Sequence, residues 1–222
     1  MQDYKSIQRM KCGRRHEKCR MIDELMHCNK GVCPFGTSAL YRPGNDIVCI
    51  FENPEREELN RGMPVVGQTG AHLGLLMYLC SAKRSLRQIG FDVSNVTIVN
   101  ARRNKNIKPE IAYVRFMSDA LQFKKVIICF GRSAESLLKD MIEVSLNINV
   151  MCVVRTVHLA HNGLNVIKRR DGESASDVQK IGAIADFLSS IEVVAGRDYG
   201  DKEFNDCLAD WKIERRRIKA NC

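Results

Sequence analysis

The stretch Ile47-Val48-Cys49-Ile50-Phe51 is a continuous apolar run, and the polar turn Glu52-Asn53-Pro54 follows it directly. An unbroken apolar run of this length, closed by a proline turn, is typical of a buried β-strand. A charged segment then leads to the glycine-rich turn Pro64-Val65-Val66-Gly67-Gln68-Thr69-Gly70 and to an apolar helix over residues 71–80. In open α/β sheets, polar side chains at the carboxyl end of a buried strand form the ligand site. The turn after residue 51 is therefore the first candidate for an active site.

Strand-like and helix-like segments alternate along the rest of the chain. Further apolar runs predict strands at residues 96–99, 126–130 and 150–157. Helices are predicted from residue 109 to about 123, from 133 onward, over 177–190 and over 201–219. Strands without polar alternation, separated by helices, indicate a sheet that is covered on both faces. We therefore predict an α/β fold, a three-layer α/β/α sandwich with a central, mostly parallel sheet of about four strands.

The composition divides the chain into three parts. Residues 1–35 are rich in cysteine and charge and predict a small, metal-binding N-terminal segment. Residues 36–195 carry the alternating strands and helices of the α/β domain. Residues 196–222 predict a C-terminal basic helix that packs on the domain or extends it. Its run Glu214-Arg215-Arg216-Arg217-Ile218-Lys219 either adds to a DNA-binding surface or is a solvated helix end.

The overall charge and hydropathy indicate the kind of partner. The formal net charge of +9 favours an anionic partner, and nucleic acid is the commonest one for a soluble basic domain. No run approaches the roughly 18 apolar residues that a membrane span needs, and the N-terminus lacks the apolar core of a signal peptide. We expect a cytoplasmic protein that has no membrane partner. Because no segment predicts a long interface helix or a coiled coil, we also expect a monomer.

Four of the ten cysteines lie close together near the N-terminus, at Cys12, Cys19, Cys28 and Cys33. Cytosolic cysteines are mostly thiols or metal ligands, and four thiolates at this density match a tetrahedral zinc site. We expect one zinc ion in preference to a 4Fe-4S cluster, with His16 or His27 as alternative ligands. The spacings are irregular, so free surface thiols are the competing interpretation. The cysteines in apolar strands are expected in the core; these are Cys49, Cys129 and Cys152.

Five segments, most of them at the ends of predicted strands, carry a pattern of residues in a fixed order. They are Phe51-Glu52-Asn53-Pro54-Glu55, Gly62-Met63-Pro64-Val65-Val66-Gly67-Gln68-Thr69-Gly70, Val99-Asn100-Ala101-Arg102-Arg103-Asn104, Cys129-Phe130-Gly131-Arg132-Ser133-Ala134 and Thr156-Val157-His158-Leu159. This order resembles the uracil-DNA glycosylase superfamily, most closely its bacterial iron–sulfur branch, family 4. The matching family motifs are G-E-x-P-G, G-R-P-F-V-G-x-x-G, T-N-V-V-K-C-R-P-P, A-L-G-x-x-A and T-x-H-P. The resemblance covers about residues 33 to 170.

The resemblance implies a monofunctional DNA glycosylase, which flips out a non-standard pyrimidine and hydrolyses its N-glycosidic bond to leave an abasic site. Asn53 stands where several branches of the superfamily position the water, with Glu52 in support. His158 matches the histidine that hydrogen-bonds the base oxygen where negative charge builds. Asn100 matches the residue that contacts the base edge. By residue type alone, Asn53 is equally a turn residue, His158 a structural histidine and Asn100 a turn cap.

The other base-pocket candidates implied by the resemblance are Pro64, Val65 and Gly67. Where this chain has Val65, family 4 has a phenylalanine that stacks on uracil, and stacking of this kind is worth about 1–3 kcal/mol per base. The missing ring opens space in the pocket. The substrate is then either uracil or a bulkier modified cytosine in foreign DNA, such as phage DNA. The second choice implies antiviral defence in place of DNA repair.

A basic loop follows the base-edge candidate and supplies candidate phosphate contacts. Its members are Arg102, Arg103, Lys105 and Lys108. Without the neighbouring motif, such a loop is equally a solvated charged segment. After the late motif, Leu159 or Leu164 is a candidate wedge for the space that the flipped base leaves, and a place in the core is the alternative for either leucine.

The chain departs from family 4 at several positions. Phe51 replaces a glycine and Leu159 replaces a proline. Asn104 and Val114, at the positions of the two mid-chain cluster cysteines, cannot bind iron. The hydrolysis itself needs no cofactor. These departures leave one alternative function, a non-catalytic DNA-binding protein that retains the glycosylase fold, whereas the polar groups retained at the strand ends favour the enzyme.

Overall fold

The computed structural model describes residues 39–40, 45–61, 64–81, 91, 96–102, 109–147, 149 and 151–215. The predicted metal-binding cysteines and three of the four basic-loop candidates lie outside these ranges, so the predictions made for them stay predictions. The three loop residues concerned are Arg103, Lys105 and Lys108. Within the described ranges, no helix has the length and apolarity that crossing a bilayer requires.

The described strands and helices alternate for most of the chain. The strands are β1 Ala39–Leu40, β2 Ile47–Phe51, β3 Val96–Asn100, β4 Val126–Phe130, β5 Cys152–Thr156, β6 Ile167–Arg169, β7 Asp198–Tyr199 and β8 Trp211–Ile213. The helices are α1 Arg56–Arg61, α2 Gln68–Ser81, α3 Ile111–Leu121, α4 Arg132–Val144, α5 His161–Leu164, α6 Asp177–Ser190 and α7 Asp201–Cys207. The four strands predicted from apolar runs are confirmed, and the predicted helix over 177–190 coincides with α6.

Six of the described strands form the central sheet, in the order β1-β3-β2-β4-β5-β7. Every neighbouring pair is parallel except β1 with β3. The four predicted strands are its centre, and the two-residue strands β1 and β7 extend it at the edges. The chain passes from β2 to β3 on one side and then crosses to β4 on the other side. The topological switch point therefore lies between the carboxyl ends of β2 and β4, where sheets of this type bind ligands.

Helices cover both faces of the sheet, which confirms the three-layer α/β/α architecture. Helices α2 and α6 pack on the face that contains Phe51 and Phe130, and α3 and α4 on the face that contains Val48 and Ile127. Every residue of β2, β3 and β4 is buried, which explains why these strands show no polar alternation. The strand cysteines are buried, as predicted; they are Cys49, Cys129 and Cys152.

The C-terminal region corrects the prediction of a basic helix over residues 201–219. Helix α7 ends at Cys207, and the chain then enters β8, which pairs antiparallel with β6. The Asn205 side-chain oxygen accepts a hydrogen bond from the Ile213 backbone N–H at 2.6 Å. Trp211 and Ile213 are aromatic and β-branched residues, which favour strands. Pairing with β6, in which Arg169 is the partner of Trp211, thus prevails over the local helical pattern.

Arg215, the last described residue, joins three elements. Its Nη1 donates to Glu135 Oε1 at 2.8 Å, and its Nε lies 2.7 Å from Asp201 Oδ2. Its Nη2 donates to the Thr156 carbonyl at 3.2 Å. The Arg215 side chain is only 18% exposed, so these contacts are partly shielded from water. Because Thr156 is the last residue of β5, the C-terminal segment is tied to the carboxyl end of that strand.

A candidate active site at the switch point

The carboxyl ends of β2, β4 and β5 bring Glu52, Gly131 and His158 together. A methyl group added to Gly131 would lie 3.1 Å from Glu52 Oε1 and 3.2 Å from His158 Cβ. Gly131 has a φ of +96°, which residues other than glycine rarely adopt. The missing side chain therefore lets the Glu52 carboxylate and the His158 side chain approach one point. These are two of the three residues assigned to catalysis from the sequence.

His158 is held as a neutral imidazole. Its Nδ1 accepts a hydrogen bond from the Ala160 backbone N–H at 3.0 Å, so the proton of the neutral ring is on Nε2. Burial lowers the pKa of His158, while the carboxylates of Glu52 and Glu55 oppose that shift. The ring meets the Phe51 ring edge-on, with 6.3 Å between centroids. His158 thus offers its Nε2–H as an uncharged hydrogen-bond donor at neutral pH.

Two residues that the sequence did not single out hold the loop after His158. A methyl group added to Gly163 would lie 2.2 Å from the His158 carbonyl oxygen and 2.7 Å from its Cβ, so α5 packs directly against His158. From α2, His72 Nδ1 donates to the Leu159 carbonyl at 2.6 Å. Neither role leaves a local signal, because a glycine in His161-Asn162-Gly163-Leu164 has the composition of an ordinary loop and His72 lies in an apolar helix.

Asn53, the third catalytic candidate, is half-buried in the turn after β2. Its Nδ2 lies 3.5 Å from the Pro54 carbonyl oxygen, which is the long limit of a hydrogen bond. The turn itself is fixed, because the Glu52 carbonyl accepts from the Arg102 backbone N–H at 3.0 Å. The amide of Asn53 is therefore positioned but weakly engaged, which suits a group that holds a water molecule.

Asn100, the base-edge candidate, is the last residue of β3 and only 1% exposed. Its backbone carbonyl accepts a hydrogen bond from the Tyr113 hydroxyl at 2.5 Å. Its side-chain Nδ2 donates to Glu58 Oε1 at 3.4 Å, and within the described structure its Oδ1 is buried without a hydrogen-bond partner. The amide is thus buried and half satisfied, and it does not face solvent as a turn cap does.

Glu58 is a buried carboxylate that the sequence analysis missed. It lies in α1 and is 5% exposed. It accepts hydrogen bonds from the backbone N–H of Glu55 at 2.5 Å, from that of Val65 and from the Asn100 amide. Burial raises the pKa of Glu58, and these hydrogen bonds oppose the shift. In the sequence it is one of several charges in Glu55-Arg56-Glu57-Glu58, and nothing there distinguishes it from its exposed neighbours.

The predicted base-pocket turn is tightly packed. Val65 has a φ of +55° and its side chain is 2% exposed in the main core, beside the buried Pro64. Gly67 has a φ of +77°, and a methyl group added to it would lie 2.6 Å from Glu57 Oε2. A methyl group on Gly70 would lie 2.1 Å from the Val65 carbonyl oxygen. The first turn of α2 therefore rests on the Val65 backbone, and Val65 packs as a core residue.

The wedge assignment is corrected. Leu159 and Leu164 are both fully buried in the main core, at 0% exposure. An intercalating side chain has to be exposed to reach the duplex, so the core alternative is the right one for both leucines. Leu159 therefore anchors the loop after β5 in the core.

Arg102, the one described member of the basic loop, is half-buried just beyond β3. Its side chain lines a cavity of about 310 Å³ together with Ser133, Ser136 and Asp140 of α4. This cavity lies on the sheet face covered by α3 and α4, next to the candidate active site and separate from the residues assigned to catalysis. Among the described residues, no group of three or more His, Cys, Asp or Glu side chains is arranged to hold a metal ion.

No known protein-family model matches this chain. No curated protein matches it either. The relationship to the uracil-DNA glycosylases therefore stays a prediction that rests on the motifs, and the site is interpreted from its own geometry.

Proposed function

We propose that this protein is a DNA glycosylase that flips out a non-standard pyrimidine and hydrolyses its N-glycosidic bond, leaving an abasic site. The observation that carries the proposal is the neutral His158 ring beside the Glu52 carboxylate at the switch point, with Asn53 in the adjoining turn. A donor, a carboxylate and a weakly engaged amide at one sheet edge are the groups that this hydrolysis needs.

The breaking bond develops opposite charges on its two sides. The sugar gains the positive charge of an oxocarbenium ion, and the Glu52 carboxylate stabilises it while the Asn53 amide holds the attacking water. The departing base gains negative charge, which the His158 Nε2–H stabilises by donating to the base oxygen. A neutral donor serves here because the developing anion needs a fixed hydrogen bond and no proton has to be transferred to form it.

The chain's charge supports DNA as the substrate. The net charge of +9 favours phosphate binding, and Arg102 begins the basic loop beside the candidate active site. Within the proposal, the excised base is uracil in DNA repair or a bulkier modified cytosine in defence against phage. The replacement of the stacking aromatic residue by Val65 is the sequence basis for the second base, and the burial of Val65 in the core favours uracil. The protein acts as a cytoplasmic monomer, and one zinc ion bound by the N-terminal cysteines supports structure without taking part in hydrolysis.

A second candidate function is a DNA-binding protein without glycosylase activity. It is favoured by the replacement of the family glycine with Phe51, whose ring stacks on Phe130 with 4.6 Å between centroids and meets His158 edge-on. That ring fills space beside the candidate catalytic histidine. The burial of Asn100, which is only 1% exposed, also favours the DNA-binding protein without glycosylase activity.

The deciding experiment measures alkali-revealed abasic sites with two substrates. One is a uracil-containing oligonucleotide and the other is phage-type DNA that carries bulky substituted cytosines. The variants are Asn53→Ala and His158→Gln, and His161→Gln is the matched control because His161 is an exposed histidine paired with Asp177 outside the site. We expect cleavage of at least one substrate and a fall of at least about 100-fold in His158→Gln, the size of effect seen when one stabilising donor is removed.

The outcomes separate the candidates. Cleavage of uracil alone identifies a repair enzyme, and cleavage of only the modified DNA identifies a defence glycosylase. If neither substrate is cleaved while DNA binding is retained, the glycosylase function is refuted and the non-catalytic DNA-binding protein is supported. Equal activity in His158→Gln and His161→Gln would refute the role given to His158.

A further inference from the structure

We propose that Glu58 is a positioning residue that fixes the amide of Asn100, so that the Asn100 side-chain carbonyl accepts a hydrogen bond from an N–H group of the substrate base. The inference rests on the proposed function, and it names the contact that distinguishes one base from another. It concerns a carboxylate that no family motif quoted above assigns to the site.

The donors around Glu58 determine which way the Asn100 amide points. An ionised carboxylate only accepts hydrogen bonds, and its described partners are the N–H groups of Glu55 and Val65 and the Nδ2 of Asn100. Turning the amide over would place Asn100 Oδ1 against the Glu58 carboxylate, with two acceptors facing each other and no proton between them. The Nδ2–Oε1 distance of 3.4 Å is long for a hydrogen bond, so it is the repulsion in the turned-over state that keeps the nitrogen of the Asn100 amide toward Glu58 and the oxygen away from it.

The oxygen of that amide lacks a partner. Asn100 Oδ1 is buried without a hydrogen bond in the described structure, and Asn100 is 1% exposed. Burying an unsatisfied acceptor costs about 1–3 kcal/mol, and nearly all buried polar groups in folded proteins are paired. A fixed acceptor left unpaired next to a candidate active site is accounted for when a ligand supplies the missing donor.

The sheet register places this acceptor beside the carboxyl end of β2. Asn100 is the register partner of Phe51 in the parallel β2–β3 pair, so the two side chains leave the same face of the sheet. The Phe51 ring is the one that meets His158 edge-on. Asn100 and His158 thus lie at the same edge of the sheet, with Asn100 at the end of β3 on one side of β2 and His158 beyond β5 on the other. Because Asn100 is buried, contact with a base requires the surrounding side chains to part.

The ligand that matches is a pyrimidine with a carbonyl oxygen for His158 and an N–H group for Asn100. Uracil supplies its ring N3–H, and cytosine supplies its exocyclic amino group. One methyl group on N3 of uracil, or two on the exocyclic nitrogen of cytosine, removes the donor and leaves the ring and its oxygen at C2 in place. Sensitivity to that methylation is therefore the property that the Glu58–Asn100 pair is expected to confer.

The test measures binding, so that it does not depend on turnover. Duplexes carry the 2′-fluoro nucleotides of uracil and cytosine, which resist hydrolysis, with and without one methyl group on N3 of uracil or two on the exocyclic nitrogen of cytosine. A duplex with a tetrahydrofuran abasic site is the reference. We expect the wild type to bind at least one unmethylated base about 10-fold more tightly than its methylated form. In Glu58→Gln this ratio falls to near 1, while Glu143→Gln, an exposed substitution on α4, keeps it.

A second measurement needs no variant and holds if Glu58→Gln fails to fold. The side-chain NH₂ resonances of Asn100 are followed by NMR as pH is varied in the wild type. We expect them to shift with the ionisation of Glu58, whose pKa is raised by burial, and the NH₂ resonances of the exposed Asn60 not to follow that titration. The proposal is overturned if the Asn100 NH₂ resonances do not shift as Glu58 ionises.

The binding experiment distinguishes a failure of this inference from a failure of the proposed function. If the wild type prefers a base-bearing duplex over the abasic one but treats methylated and unmethylated bases alike, the roles of Asn100 and Glu58 are refuted and the glycosylase proposal stands. If the wild type prefers no base-bearing duplex, base recognition itself is absent and both proposals are refuted.

Discussion

Replacing Gly131 with alanine tests the geometry on which the candidate active site depends. The added methyl group would lie 3.1 Å from Glu52 Oε1 and 3.2 Å from His158 Cβ. The carboxylate is the end of a flexible side chain and can move at little cost, whereas His158 Cβ moves only with its loop. The φ of +96° at Gly131 adds backbone strain of about 1–3 kcal/mol for any other residue. We expect a free energy of unfolding lower by about that amount.

The loss of activity in Gly131→Ala should exceed the loss of stability. A misplacement of about 1 Å in an active site can cost about 100-fold in rate, so we expect at least this loss in single-turnover formation of abasic sites. Gly172→Ala is the matched control, because Gly172 has a φ of +84° and nothing lies within 4 Å of an added methyl group. It carries the same backbone strain and displaces nothing, so its activity should equal that of the wild type.

Urea denaturation gives the stability of both alanine variants, and NMR titration of the His158 ring reports the site without requiring turnover. Displacement of the Glu52 carboxylate removes an influence that raises the pKa of His158, so this pKa should be lower in Gly131→Ala than in the wild type. The reasoning is refuted if Gly131→Ala and Gly172→Ala show the same activity and the same titration of His158.

Three further predictions follow from the packing and charge of the site. Burial lowers the pKa of His158, so the stability that its neutral form contributes is present above a pH of about 6.5 and is lost as pH falls toward the folded-state pKa. Urea midpoints measured across this pH range should fall in the wild type and fall less in His158→Gln. Leu164→Ala should lower the free energy of unfolding by about 2–5 kcal/mol because it empties a core position, and unchanged stability with weaker binding to abasic DNA would instead indicate a wedge. Gly163→Ala should displace the loop that carries His158 and lower activity about 100-fold, which a crystal structure of the variant and single-turnover rates would check.

The fold was predictable where burial alone decides structure. The continuous apolar runs of β2, β3, β4 and β5 follow from burial on both faces of a parallel sheet, and this pattern is present in each segment by itself. Helix α6 was predictable for a different local reason. Its start at Ser176 carries a complete capping box with Gln179. Strand β8 was not predictable, because it forms only by pairing with β6, and a partner that is distant along the chain leaves no local pattern.

The residues of the candidate site were likewise predictable only where a local pattern marks them. Glu52 and His158 were identifiable because each leaves the carboxyl end of a predicted strand, and parallel strands bring those ends to one edge. Glu58, Gly163 and His72 act through contacts with residues that are not their sequence neighbours, such as the hydrogen bond from His72 to the Leu159 carbonyl, 87 positions away. Leucine is equally suited to a core and to a DNA wedge by composition, and only the burial of Leu159 decides for the core.

The contacts of Arg215 connect the candidate site to the C-terminal segment, and they bear on which parts of the fold can open first. The Thr156 carbonyl, two residues before His158, receives one of its hydrogen bonds from Arg215, 59 positions later in the chain. Parts of a protein open locally at a lower free-energy cost than the whole domain does. Detachment of β8 from β6 would therefore release Arg215 from the end of β5 while the centre of the sheet stays folded. Cleavage or binding at β8 would therefore change the surroundings of His158 without unfolding the central sheet.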